Sequence, residues 1–289
     1  MIKTILAPLS GGDIDEVVLD ASLTIARLFG SHIECHHNFM DAGEAAASIT
    51  PVSYLIGPAL RNAMDRLTER GEAHAASALR HFSDFLSANT IPTDVSVPCD
   101  SVSASMLQDS GKPVDNLCFQ ARHHDLVVMG RPSEGSGIPR ELIERILMES
   151  GQPILIVPGY SSSRLLETVA ICWKDTAESA RAVRAAMPLL RHAKRVIVVT
   201  ADEGGDDNLR ASVSGVLKHL AWHGVHASEV AAATRGHTTM DTLWAAALNS
   251  HADLLVMGGF SRGPMRELLF GGCTQSALSH GELPVFIVR

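Results

Sequence analysis

Apolar residues fall along this chain in short continuous runs separated by longer amphipathic stretches. The runs TILAP, HDLVVMG, PILIV, TVAIC, RVIVV, ADLLVMG and PVFIV carry no polar alternation. Strands covered by helices on both faces have that character. Between them, apolar positions recur at three- and four-residue spacing, the period of an amphipathic helix. The pattern predicts strands at 2–8, 32–37, 94–98, 125–129 and 153–157, with helices at 14–29, 57–90, 113–122 and 139–149. It then predicts strands at 168–173, 195–200, 227–231, 253–257 and 284–288, with helices at 177–192, 206–223, 238–249 and 272–280. Five strands alternating with helices, twice over, define an α/β chain of two doubly wound parallel sheets, because right-handed crossovers put helices on both faces.

The chain reads twice in its residues as well. HDLVVMGR and ADLLVMGG are each followed by a glycine-rich loop, a short helical stretch and a strand opening at proline, QPILIVP in the first case and LPVFIVR in the second. The openings KTILAPLSGGDIDEVVLDASLTIARLFGSHIECHH and ETVAICWKDTAESARAVRAAMPLLRHAKRVIVVT also correspond. The period, roughly 130 to 165 residues, suits two copies of one domain rather than a solenoid. The expected domains are 1–158 and 167–289, joined by the Gly- and Ser-marked segment GYSSSRLLE.

Composition narrows the partners. A formal net charge of −8 lacks the basic face that general nucleic-acid binding requires. No apolar run approaches the ~20 residues of a membrane span. Five scattered cysteines form no CxxC pair, and MIKTILAPLSGG enters a strand at once without the apolar region of a signal peptide. The expectation is a cytoplasmic protein with reduced thiols, touching neither nucleic acid nor membrane.

The strand ending in MG, the glycine-rich loop, the small residues opening a helix and the closing P-V-x-I/V-V pattern resemble the universal stress protein family. WKDTAESARAV is similar to that family's opening turn and first helix. The resemblance covers the whole chain as two tandem domains and is stronger in the second. It implies a Rossmann-like universal stress protein fold, with five-stranded domains pairing through their last strands into an intramolecular pseudo-dimer. It also implies further pairing into a homodimer, and a role in stress adaptation through protein partners.

The family's ATP-binding loop has the form Gly, two residues, Gly, nine residues, Gly-Ser or Gly-Thr. Gly258 matches the first glycine, Ser261 replaces the second, and Gly271-Gly272 follow at the right spacing with glycine in place of the hydroxyl residue. The following helix is expected to open at Gly272 or Cys273, and Thr274 offers a hydroxyl from its first turn. Such glycines let backbone amides approach phosphate, and a helix start adds unpaired N–H groups. The resemblance thus implies ATP or another adenine nucleotide in the second domain, with magnesium only as the nucleotide's own ion. Adenine would lie near Cys172, Trp173 and Val199.

Departures from the family pattern matter. Its aspartate after strand one is Ser10 in the first copy and Lys174 in the second; Lys174 can reach a phosphate but cannot accept a hydrogen bond. In the first copy Arg140-Glu141 replace the Gly-Ser pair, and a glutamate at a helix start repels phosphate. No nucleotide is expected there. The equally available reading of the second loop is a tight turn that merely permits packing.

No GxSxG, no Walker motif and no strand-borne GxGxxG occurs, so no catalytic residue is assigned. The alternatives to a binding protein are a nucleotide-free scaffold and a slow ATP hydrolase. In SHIECHHNF, His32 and His36 face one side of a strand while Cys35 and His37 face the other, so they do not converge on a metal. No HExxH motif or paired CxxC spacing organises the fourteen histidines into a metal site. The stretch 40–60 has no counterpart in the second copy and reads as a lid or packing arm. The long helix after it carries an apolar stripe at Leu60, Ala63, Leu67, Ala75, Ala78 and Phe82.

Overall fold

The computed structural model describes residues 1–39, 58–93, 100–132, 140–160, 164–202, 207–234, 236–259 and 282–289. The chain separates into two compact units, Ile2–Ser150 and Gly151–Arg289 together with Met1.

The first unit contains β1 (Thr4–Pro8), α1 (Ile14–Phe29), β2 (His32–Phe39), α2 (Pro58–Asn89), β3 (Ser103–Ser110), α3 (Pro113–Ala121), β4 (Leu126–Gly130) and α4 (Arg140–Glu149). Its strand order is β3-β2-β1-β4, with β1 parallel to β2 and β4, and β2 parallel to β3. Every residue of β4 is buried, as its unbroken apolar run requires. α1 turns its Val18, Leu19, Leu23 and Ala26 inward and stops at Gly30, whose left-handed backbone donates to the Ala26 carbonyl. α2 buries Ala78, Phe82 and Phe85, while Leu67 of the expected stripe is exposed.

The second unit contains β5 (Ile154–Val157), β6 (Thr168–Cys172), α5 (Ala177–Leu190), β7 (Arg195–Asp202), α6 (Asp207–Trp222), β8 (Ala227–Ala233), α7 (Thr239–Asn249), β9 (Leu254–Gly258) and β10 (Val285–Val288). The order is β5-β10-β9-β6-β7-β8. β10 runs parallel to β9 and antiparallel to β5, with Phe286 opposite Leu155. The closing strand of the first sequence repeat therefore pairs with the closing strand of the second, both wholly buried. Hydroxyl caps start two of its helices: Thr176 accepts from the Ser179 amide and Thr238 from the Asp241 amide.

One device occurs in both units. The aspartate of HDLVVMG, Asp125, accepts from the amides of Lys3 and Thr4 at 2.7 and 3.1 Å. The aspartate of ADLLVMG, Asp253, accepts from Leu166, Glu167 and Thr168 at 2.9, 2.8 and 3.1 Å. Each carboxylate ties the start of the unit's central strand to the strand beside it. The sequence duplication is thus a duplication of hydrogen bonding too.

A strand at Ser103–Ser110, which the apolar pattern did not predict, pairs with β2. The residues 94–99 lie outside the described ones, as do the expected lid within 40–57 and the expected helix at 272–280. The reason that β3 escaped the apolar pattern is chemical. SASMLQDS is polar because its partner face on β2 is polar: His32 bonds Ser103 and Ser105, and His36 bonds Asp109.

Candidate functional site

In an open parallel sheet, ligands bind outside the carboxyl ends of the strands where the strand order reverses. Each unit has such a point, after β1 and after β6. The same topology builds them from different residues.

After β1, the turn Ser10–Gly12 folds back on a carboxylate of its own helix. Asp15 is fully buried and accepts from the Ser10 amide at 2.8 Å, the Ser10 hydroxyl at 3.1 Å and the Gly11 amide at 2.8 Å. His81 Nδ1 of α2 lies 3.3 Å from the same carboxylate. Gly11 has φ +82°, and a Cβ there would fall 2.3 Å from the His74 carbonyl oxygen. The backbone of α2 thus lies directly against the turn. The amides that could meet an anion already hold one, supplied by the chain. Nothing in the spacing of SGGDID announced this, since an acidic residue in a helix's first turn reads the same when it faces solvent.

After β6, the turn is held differently. Trp173 N–H donates to the Val199 carbonyl at 2.9 Å, and Thr176 N–H to the Lys174 carbonyl at 2.8 Å. The Trp173 indole reaches across to Ser212 Oγ of α6 at 3.1 Å. Glu178 is drawn aside by Arg181 at 2.8 Å. Among the described residues, no carboxylate hydrogen-bonds to this turn, and Lys174 is exposed.

The strand register brings three of the predicted site residues to one end of the sheet. Cys172 pairs with Val199 on one side and Met257 on the other, so Lys174, Val199 and Gly258 share that end. Their roles differ. Val199 is fully buried and its carbonyl is engaged by Trp173, so its side chain offers no surface to a ligand. At Gly258 a Cβ would lie 2.5 Å from the Glu178 carbonyl carbon and 2.7 Å from the Ser179 amide nitrogen. Glycine is required there by the first turn of α5, whatever else the loop does. The contact also sets the α5 amino terminus beside the loop's first residue. Ser261, Gly271, Gly272, Cys273 and Thr274 lie outside the described residues.

The histidine-rich strand β2 is structural. His37 Nδ1 meets the Leu9 carbonyl at 2.8 Å, and His124 lies 3.6 Å from Glu34. Burial lowers the pKa of both His32 and His36, against the opposing pull of nearby carboxylates. Burial holds the Cys35 thiol far above its ordinary value, which disfavours a thiolate ligand. Among the described residues no three His, Cys, Asp or Glu side chains converge to hold a metal ion. Nor is any described helix long and apolar enough to cross a membrane.

Neither a protein-family model nor a curated protein matches the sequence. Solved structures do match. A universal stress protein from Archaeoglobus fulgidus has a TM-score of 0.70 at 15% identity, over 99% of this chain and 96% of its own. A functionally unknown protein from Pseudomonas aeruginosa PAO1 has a TM-score of 0.58 at 14% identity, over 99% and 92%. A protein from Pseudomonas aeruginosa UCBPP-PA14, provisionally named a universal stress protein, has a TM-score of 0.57 at 15% identity, over 99% and 93%. The class is therefore an α/β protein with switch points at the carboxyl ends of parallel strands. Its fold is that of universal stress proteins, along nearly the whole chain in tandem.

Proposed function

We propose that this chain binds ATP or a related adenine nucleotide in its second unit and acts in stress adaptation by regulating partners in the cytoplasm, without robust catalysis. The observation that carries the reading is the asymmetry of the two switch points. The first is filled by Asp15 and overlain by α2. The second carries the exposed Lys174, and among the described residues no carboxylate hydrogen-bonds to its turn, its own Asp175 facing solvent. Phosphates would rest on Gly258, Ser261 and the 271–274 segment, with Lys174 adding charge. One nucleotide per chain follows.

A second reading, a nucleotide-free scaffold, draws support from Gly258. Its lack of a side chain is explained by α5 alone, so that glycine is no witness for a ligand.

The test is retention and titration. The chain is purified without added nucleotide and denatured, and the supernatant is run by mass spectrometry; native protein is titrated with ATP by calorimetry. An adenine nucleotide near one per chain supports the binding reading. No retained ligand and no heat of binding overturns it in favour of the scaffold. Turnover of ATP lost on changing Lys174 or Thr274, with folding intact, would instead mark a slow hydrolase.

A further inference from the structure

His219 and His223 stand one helical turn apart at the end of α6, both exposed, with ring centroids 4.7 Å apart at an interplanar angle of 62°. Residues at this spacing share a helix face. Their platform is fixed. Leu220 is fully buried, and Val225 is nearly so. The Val225 amide donates to the Leu220 carbonyl at 2.9 Å and the Gly224 amide to the Ala221 carbonyl at 3.0 Å, with Gly224 at φ +76°. This is a glycine-terminated helix end with its apolar contact. Arg191 Nε donates to the His223 carbonyl at 3.0 Å and pins the turn from α5.

The separation has a chemical meaning. With metal–nitrogen bonds of about 2.0 Å, and ring nitrogens roughly 1.2 Å from their centroids, two imidazoles on one ion place their centroids about 4.5 Å apart at a right angle and about 5.2 Å apart at the tetrahedral angle. The observed 4.7 Å lies between these values. The centroid separation thus matches that of two imidazoles on one ion, with the rings turned so that a nitrogen of each faces it.

We infer that His219 and His223 form a two-histidine site for a divalent transition metal, with water completing the coordination. Imidazole pairs suit copper(II), nickel(II) and zinc(II), and copper(II) binds most tightly of these. The ion ties the last turn of α6 to the turn that leads into β8. The site is separate from the proposed nucleotide loop and does not depend on it.

Trp222 lies between the two histidines in sequence and is 82% exposed, so it serves as a reporter. The tag-free full chain is titrated with copper(II) at pH 7.5 while tryptophan fluorescence is followed. The expected result is quenching that saturates near one equivalent, is largely lost in Trp222→Phe, and weakens more than about tenfold in either His219→Gln or His223→Gln. Because both histidines are exposed, the variants are expected to fold, which a melting curve checks. Quenching that is equal in wild type and both histidine variants overturns the site, as does quenching that needs a large excess of copper.

Discussion

The Asp15 carboxylate and the Gly11 amide meet at 2.8 Å inside the first switch point, with no solvent exposure of the carboxylate. Removing that acceptor leaves the half-buried Ser10 and Gly11 amides without their partner, and an unsatisfied donor costs about 1–3 kcal/mol when fully buried and less when water can reach it. Asp15→Ala is expected to destabilise the chain by about 2–4 kcal/mol in urea denaturation. Asp15→Asn keeps one acceptor oxygen and should lose less. A loss under about 0.5 kcal/mol for the alanine variant would show that the self-capped turn contributes little.

Gly258→Ala tests a packing relationship rather than a ligand. The added methyl would lie 2.5 Å from the Glu178 carbonyl carbon, so backbone must shift to admit it. Overpacking of this kind costs about 1–3 kcal/mol. The loss should appear in the absence of any nucleotide. A variant with unchanged urea midpoint would mean that α5 accommodates the methyl freely.

Acidification should weaken the first unit through His32 and His36. His32 sits between Ser103 Oγ and Ser105 Oγ, each at 2.9 Å, and faces Glu34 and His124. His36 sits 3.0 Å from Asp109 and is also influenced by Glu34 and His37. For both rings desolvation is the leading cause and lowers the pKa in the folded state. The unfolded chain titrates these rings near 6.5, so it binds more protons than the folded chain just below that pH. Their contribution to stability is complete above about pH 6.5 and falls as pH drops toward the folded values. Urea midpoints measured from pH 7.5 to 5.0 should fall more steeply for wild type than for His32→Gln/His36→Gln. Parallel slopes would remove these two rings from the account.

Those same histidines show where sequence patterning succeeds and fails. β4 and β9 were legible because LVVMG and LLVMG are apolar throughout, which only strands buried on both faces require. β3 was not legible, because its serines, Gln108 and Asp109 answer the polar face of β2 instead of a hydrophobic layer. The carboxyl-end position of Lys174 and Gly258 followed from the order of the elements, since strand ends precede loops. The Asp15 cap did not follow: a side chain folding back over four residues leaves no periodic trace, and an acidic first turn looks the same when it only faces solvent. Likewise the Val199 carbonyl is taken by the Trp173 amide, a pairing that sequence spacing does not report.

The glycine-rich loop itself is tested by charge. Gly271→Glu puts a carboxylate where the proposed phosphate would rest, competing with it for backbone amides and repelling the bound anion. ATP affinity measured by calorimetry should fall more than about 100-fold, since a like charge and a blocked backbone approach act together. The urea midpoint without nucleotide should stay close to wild type, which separates lost binding from lost folding. Gly271→Ala, with no charge, should reduce affinity less than the glutamate variant does. If ATP binds the glutamate variant as it binds wild type, the 271–274 segment is no phosphate cradle and any nucleotide sits elsewhere. If wild type itself shows no heat with ATP, the loop is a turn, and the two halves of this chain share a scaffold role.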